Sequence, residues 1–171
     1  ANFNSTSNVI TDSGTLAITG ATTINAGTAD ITLDQAASTF GALALTGANV
    51  AVTENAATDL AASTVSGTLG VTSTGAVTDS GTLAITGATT ISASGQDITL
   101  DEAASTFGTL ALTGANVAVT ENAATDLGAS TVSGTFGITS GGAITDSGTL
   151  AITGAATFPN TAGTNDAITL D

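Results

Sequence analysis

The sequence returns on itself with a period of 78 − 11 = 67, and that period limits what the chain can fold into more than any other feature. Thr-Asp-Ser-Gly-Thr-Leu-Ala-Ile-Thr-Gly-Ala starts at Thr11, again at Thr78 and again at Thr145. Residues 11–77 and 78–144 differ at 11 positions, so 67 − 11 = 56 are identical. A partial third copy, 145–171, carries three extra residues near Pro159–Ala167. A catalytic site needs one unique constellation, whereas a repeat lays down the same surface at intervals. The chain therefore reads as one elongated repetitive domain over 1–171. With no initiator Met and a last copy that stops part-way, it reads as a segment of something longer.

Within each copy, apolar residues alternate with small or polar ones, as in Leu16-Ala17-Ile18-Thr19, Ile31-Thr32-Leu33-Asp34, Leu43-Ala44-Leu45-Thr46 and Val50-Ala51-Val52-Thr53. Period-two runs of four or five residues, punctuated by Gly, Asn, Asp and Ser, predict short strands and turns rather than helices. One period divides into three units, Asp30–Ala48, Asn49–Gly75 and Ala76–Gln96, with lengths of 19, 27 and 21. Each opens on a short strand, crosses a turn to an apolar anchor (Phe40, Leu60, Leu83) and closes with another strand. Units of this size suit one coil each of an all-β, parallel β-helix (β-solenoid), at three coils per repeat. Between copies the inward positions exchange apolar for apolar: Leu69 for Phe136, Val71 for Ile138, Val77 for Ile144. Variation is densest in Asn25–Ala29 against Ser92–Gln96, which predicts a solvent loop at a coil corner.

Composition narrows function by what is missing. The 171 residues hold no Lys, Arg, His, Cys, Met, Trp or Tyr, against 14 Asp and Glu, for a net charge of −14. Nothing here can neutralise phosphates, so binding to nucleic acid or to an anionic membrane surface is excluded. No apolar run approaches the ~20 residues of a membrane-spanning helix, so no membrane insertion is expected. A 42% apolar, sparsely charged chain does not have the composition of a disordered one.

The acids are the only titratable side chains. Setting Leu33, Val52, Val77, Leu100, Val119 and Ile144 in register places Asp12, Gln35, Glu54, Asp79, Glu102, Glu121 and Asp146 in one corner column. Neighbouring charges about 4.8 Å apart repel by about 0.9 kcal/mol in water and about 3.5 kcal/mol at an effective dielectric of 20. Such a column is either a solvated acidic edge or a place for counter-ions. Calcium is the cation that carboxylate and carbonyl oxygens would take, although no glycine-spaced calcium loop motif is present. Asp34 with Glu54, or Asp101 with Glu121, would pair carboxylates on neighbouring coils, as glycoside hydrolysis requires. The same acids recur in every copy, however, and no cation or large aromatic side chain other than Phe accompanies them. Ser and Thr have no His or Lys to activate them. The expectation is no enzyme, with no catalytic, cofactor-binding or metal-site residues assigned.

Thr19, Thr32, Thr53, Thr78, Thr86, Thr99, Thr120 and Thr145 point outward in this reading. The array resembles those of ice-binding β-helices, but Ala51 and Ala76 interrupt it, and Thr also simply suits a soluble sheet face. Asn49, Asn55, Asn116 and Asn122 recur once per repeat, too far apart for a continuous Asn ladder, and are expected to serve local turns.

Gly-Ala-Val-Thr-Asp-Ser-Gly-Thr-Leu (75–83), Asp-Ile-Thr-Leu-Asp (30–34 and 97–101) and Ala-Ser-Thr-Val-Ser-Gly-Thr-Leu (62–69) resemble the repeat region of filamentous-haemagglutinin-type exoproteins of bacterial two-partner secretion. The resemblance spans essentially the whole chain. It implies a right-handed β-helix, export through an outer-membrane partner, and a place in an extracellular cell-surface fibre. The resulting expectation is a structural rod or adhesin stalk that self-associates into fibres or bundles. The alternative is a ligand-binding module on the same fold, with Phe158-Pro159-Asn160 as the place where the repeat departs from itself.

Overall fold

The computed structural model describes residues 1–161 and 166–171. The expected all-β parallel solenoid is what forms, and among the described residues there is no helix. Two eleven-stranded sheets run the length of the rod. Along the first stack Asn2–Asn4, Thr22–Asn25, Ala42–Gly47, Thr58–Leu60, Val77–Asp79, Ile98–Leu100, Val117–Glu121, Phe136–Ser140 and Ala156–Thr157. Along the second stack Ile10–Thr11, Ile31–Leu33, Val50–Glu54, Leu69–Ser73, Thr89–Ser92, Thr109–Gly114, Thr125–Leu127, Ile144–Asp146 and Ile168–Thr169. Short strands such as Ser63–Val65 on Leu83–Ile85 extend the longer sides. The chain alternates between sheets, so each coil contributes one pass to each, and every strand lies parallel to its neighbours.

Alternation puts the apolar half of each strand inside, as its period requires. Val50, Val52, Leu69, Val71, Val117, Val119, Phe136 and Ile138 are buried in one continuous core, and so are the anchors Phe40, Leu60 and Leu83. The apolar exchanges between copies all fall there. Phe136, where the first copy has Leu69, meets Phe158 edge-on with ring centroids 5.8 Å apart. Outward Thr78 and Thr145 are exposed, whereas Thr32 and Thr99 are half-buried.

The variable stretch is a corner turn, as expected. Its left-handed residue is Gly27 (φ 62°) in the first copy and Gly95 (φ 77°) in the second. Gly95 is equivalent to Thr28, so the turn has moved one residue along, and the glycine has moved with the backbone conformation that needs it. At another corner Gly41 lies so close to the previous coil that a Cβ would sit 2.6 Å from the Gly20 carbonyl oxygen. The expected insertion in the third copy falls partly outside the described residues.

The coil count differs from the expected three. Ile10, Ile31, Val50, Leu69 and Thr89 stack in the second sheet, at steps of 21, 19, 19 and 20 along the chain. Their equivalents one period on, Val77, Ile98, Val117, Phe136 and Ala156, stack in the first sheet. One repeat is therefore seven half-turns, three and a half coils, and each successive copy presents its sequence on the opposite side of the rod. The longest unit, Asn49–Gly75, holds the extra half-turn. Its closing strand, Leu69–Ser73, pairs with its own opening strand Val50–Glu54, so the unit is a coil and a half. Val52 thus stacks on Val71, not on Val77.

This register is directly testable, since the chain has no cysteine of its own. Thr53 and Thr72 are paired neighbours, with Cα atoms about 4.8 Å apart, inside the range that a disulfide spans. Thr53→Cys with Thr72→Cys should cross-link on mild oxidation, read as a mobility shift on a non-reducing gel. Thr53→Cys with Thr78→Cys, which three coils per repeat would place together, should stay reduced. The reverse pattern would restore the three-coil register.

Candidate functional site

The same parity that buries Val50 and Val52 carries the next alternate residue, Glu54, into the bore, and Glu121 follows in the second copy. They are 1% and 2% exposed. Each accepts a 2.7 Å hydrogen bond on Oε1, from the backbone N–H of Phe40 and of Phe107. Those N–H groups lie at bends between strands, where no neighbouring strand is available to accept. A carboxylate from the coil above fills the gap in the ladder. In the second copy the Thr125 hydroxyl lies 2.8 Å from Glu121 Oε2 and 3.0 Å from Ser140 Oγ, and Ser140 donates to the Ala123 carbonyl. In the first copy that bond is not closed, and Glu54 Oε2 and Thr58 Oγ1 are both buried without a partner.

Burial raises the pKa of both glutamates above the usual value, more than the Phe40 and Phe107 N–H bonds lower it. The groups that face them, Phe40, Thr58, Phe107, Thr125 and Ser140, are neutral. Asp79 is also raised, by burial first. The Asp101 and Glu102 N–H groups donate to it at 2.8 and 3.3 Å and oppose the rise, while the negative charges of those two residues add to it.

Asp12, Asp30, Asp97 and Asp146 follow the same principle at the surface. Asp12 Oδ1 accepts from Asp34 N–H, and Asp146 Oδ1 from Asp171 N–H, each one coil on. Asp30 accepts from both the backbone and the side-chain amide of Asn49, whose own Oδ1 accepts from Thr68 N–H and hydroxyl. Asp97, Asn116 and Thr135 repeat the arrangement. Asn49 and Asn116 thus tie three successive coils together, a longer reach than the local turns expected of them. The absence of a continuous Asn ladder stands.

The predicted acidic column does not form. Asp12, Gln35 and Glu54 lie along the second sheet's side, Asp79, Glu102 and Glu121 along the first sheet's, and Asp146 again along the second's. The half-turn in each repeat breaks the column, and parity turns Glu54 and Glu121 inward. The pairs Asp34 with Glu54 and Asp101 with Glu121 are not brought face to face either, because one member is exposed and the other buried. Among the described residues no group of three or more acids converges to hold a metal ion such as calcium. The Thr array is interrupted at Ala51 and Gly70, which stack between Thr32 and Thr90. Ala76 does not share that position, since the strand that follows it pairs elsewhere. Two signals in the sequence could have located the inward acids. One is the period-two parity of Val-Ala-Val-Thr-Glu, and the other is the unusual length of the unit that contains it.

What the geometry provides is a set of carboxylate acceptors that staple coil to coil, recurring in each copy on alternate sides. Models of repeats of unknown function (DUF5649) match residues 1–46, 47–113 and 114–171, which together cover the chain. The chain belongs to this repeat family. The middle match has a length of 113 − 46 = 67, the period read from the sequence. No curated protein and no solved structure matches the chain.

The inward acids fix how stability responds to pH. A carboxyl whose folded pKa is raised stabilises fully below its ordinary value, 4.5 for Glu54 and Glu121, and that contribution is lost as pH rises through the folded value. With no basic side chain to form ion pairs, every side-chain charge interaction acts in the same direction. The urea midpoint should therefore rise as pH falls from about 7 to about 5, the range above ordinary carboxyl values. Glu54→Gln with Glu121→Gln should flatten that response. A midpoint that falls over this interval would contradict the assignment.

Proposed function

We propose that this segment is a rigid structural module of a secreted bacterial cell-surface fibre or adhesin stalk, whose work is to span distance. The observation that supports this reading most is the repetition of one surface without a unique constellation among the described residues. The inward acids, the Asn ties and the Thr faces all recur one period on, and the acids and Asn ties serve contacts between coils. A module of this kind lengthens by addition: three and a half coils at about 4.8 Å give about 17 Å per repeat. The likeness of 62–69 and 75–83 to filamentous-haemagglutinin-type repeats favours export through an outer-membrane partner. The uniform negative charge suits a fibre that stays dispersed.

The competing reading, an adhesive module, would centre on Phe158-Pro159-Asn160. There Phe158 packs on Phe136, and Asn160 Nδ2 donates to the Gly142 carbonyl at 2.6 Å. Those side chains are engaged in holding the coil, which favours the rod.

The test is immunogold electron microscopy of intact source cells with antibodies raised against the segment. Gold is expected along filaments outside the cell. Labelling that appears only after permeabilisation would overturn the extracellular assignment.

A further inference from the structure

Around Glu121 the hydrogens can be counted. Glu121 Oε2, Thr125 Oγ1, Ser140 Oγ and the Ala123 carbonyl oxygen follow one another through the corner, at 2.8, 3.0 and 2.8 Å. All three side chains are buried. Each of these three contacts is within hydrogen-bond range and needs a hydrogen between its two oxygens. The Thr125 and Ser140 hydroxyls bring one hydrogen each, and a carbonyl brings none. The count is one short. A carboxylate cannot make it up, but a carboxylic acid can.

The neighbouring bonds run in the same direction. Glu121 Oε1 accepts from the Phe107 N–H, which leaves Oε2 to carry the hydrogen. Ser140 Oγ also accepts from the Gly142 N–H at 3.2 Å, so its one hydrogen is free for Ala123. Burial, the largest influence on this carboxyl, favours the neutral form. The titratable groups on the surrounding elements are Asp101 and Glu102, which follow Ile98–Leu100, Asp126 beside Thr125, and Asp146 on the strand paired with Thr125–Leu127. None is buried, and none carries a positive charge that would hold Glu121 ionised.

The first copy shows what closes the chain. Ser73 donates to the Ala56 carbonyl at 2.7 Å, as Ser140 does to Ala123, yet Thr58 Oγ1 and Glu54 Oε2 find no partner. The corners 73–76 and 140–143 differ at one residue, Thr74 against Gly141. A Cβ on Gly141 would lie 2.7 Å from the Asn122 carbonyl carbon. Without one, the Gly141 N–H reaches the Glu121 carbonyl at 2.7 Å, where the Thr74 N–H stands 3.1 Å from that of Glu54. Gly141 draws the two coils together, and the hydroxyls come within reach.

We infer that Glu121 is a proton-binding site, a neutral carboxylic acid that donates through Thr125 and Ser140 to the Ala123 carbonyl. Loss of that proton to water leaves two hydrogens for the same contacts, so one of them has to open. The corner is thus a pH-sensitive latch between coils, held by Gly141. This goes beyond the reading of the segment as a rod and does not depend on where the rod is displayed.

Carbon-13 NMR of the whole chain, labelled at the glutamate carboxyl carbon, tests it, since Glu54, Glu102 and Glu121 are the only glutamates. Glu121→Gln identifies the signal by its loss. At about pH 6, where ordinary carboxyls are ionised, the Glu121 signal should still have the chemical shift of a neutral acid. Gly141→Thr, which restores the residue of the first copy, and Thr125→Val, which removes the first acceptor, should each lower the pH at which the signal changes. Circular dichroism matching the parent separates this effect from loss of the fold. A Glu121 signal at the carboxylate position at about pH 6 would overturn the inference. So would a titration midpoint that neither folded variant moves.

Discussion

The hydrogen bond between adjacent coils, joining positions about 19 apart in sequence and about 4.8 Å apart in space, is the interaction on which the rest of this rod depends. Where strands lie side by side, backbone supplies both partners. At the corners the ladder breaks, and a buried or half-buried N–H has to find an acceptor elsewhere. In this chain the acceptor is repeatedly a carboxylate or an Asn from a neighbouring coil: Glu54 to Phe40, Asp79 to Asp101 and Glu102, Asp30 to Asn49, Asn49 to Thr68. The acidic composition thus has a structural use before any functional one. Acids are the side chains that accept without needing a donor's geometry, and every copy of the repeat needs them at the same bends.

That arrangement carries a cost that a chain with basic residues could offset. Glu54, Asp79 and Glu121 are desolvated with no counter-charge, so the folded state holds their protons more tightly than the unfolded chain does. Neutral acids inside the bore are compatible with the fold, because a protonated carboxyl still accepts from an N–H and can donate to a neighbouring hydroxyl. The same absence of cations removes lateral salt bridges between rods.

Much of the fold is legible in the residues themselves. Alternation in Val50–Glu54 and Leu43–Leu45 marks strands and their inward faces. The exchange of Leu69 for Phe136 marks the core, and the shifting glycine of Gly27 and Gly95 marks a corner. The coil count is not legible from the three opening strands alone. Setting Val52 against Val77 yields a plausible column of apolar residues, because Leu69–Ser73 looks like a closing strand rather than the next rung. A sequence period says how often a surface recurs, but not through what angle, and a half-integer number of coils looks the same as an integer one in the letters. The acid sites fail for that reason and for one more. A carboxylate after an apolar strand is ordinarily a surface residue, and only strict parity turns Glu54 and Glu121 inward.

Seven half-turns per repeat is the geometry that breaks the acidic column and sets successive copies on opposite sides of the rod. Averaged electron cryomicroscopy of a tandem array of the repeat measures it most directly, through the operation that relates one copy to the next. A rotation near a half-turn with a rise of about 17 Å is the expected result, from three and a half coils at sheet spacing. A rotation near zero with a rise of about 14 Å, three whole coils at the same spacing, would contradict it.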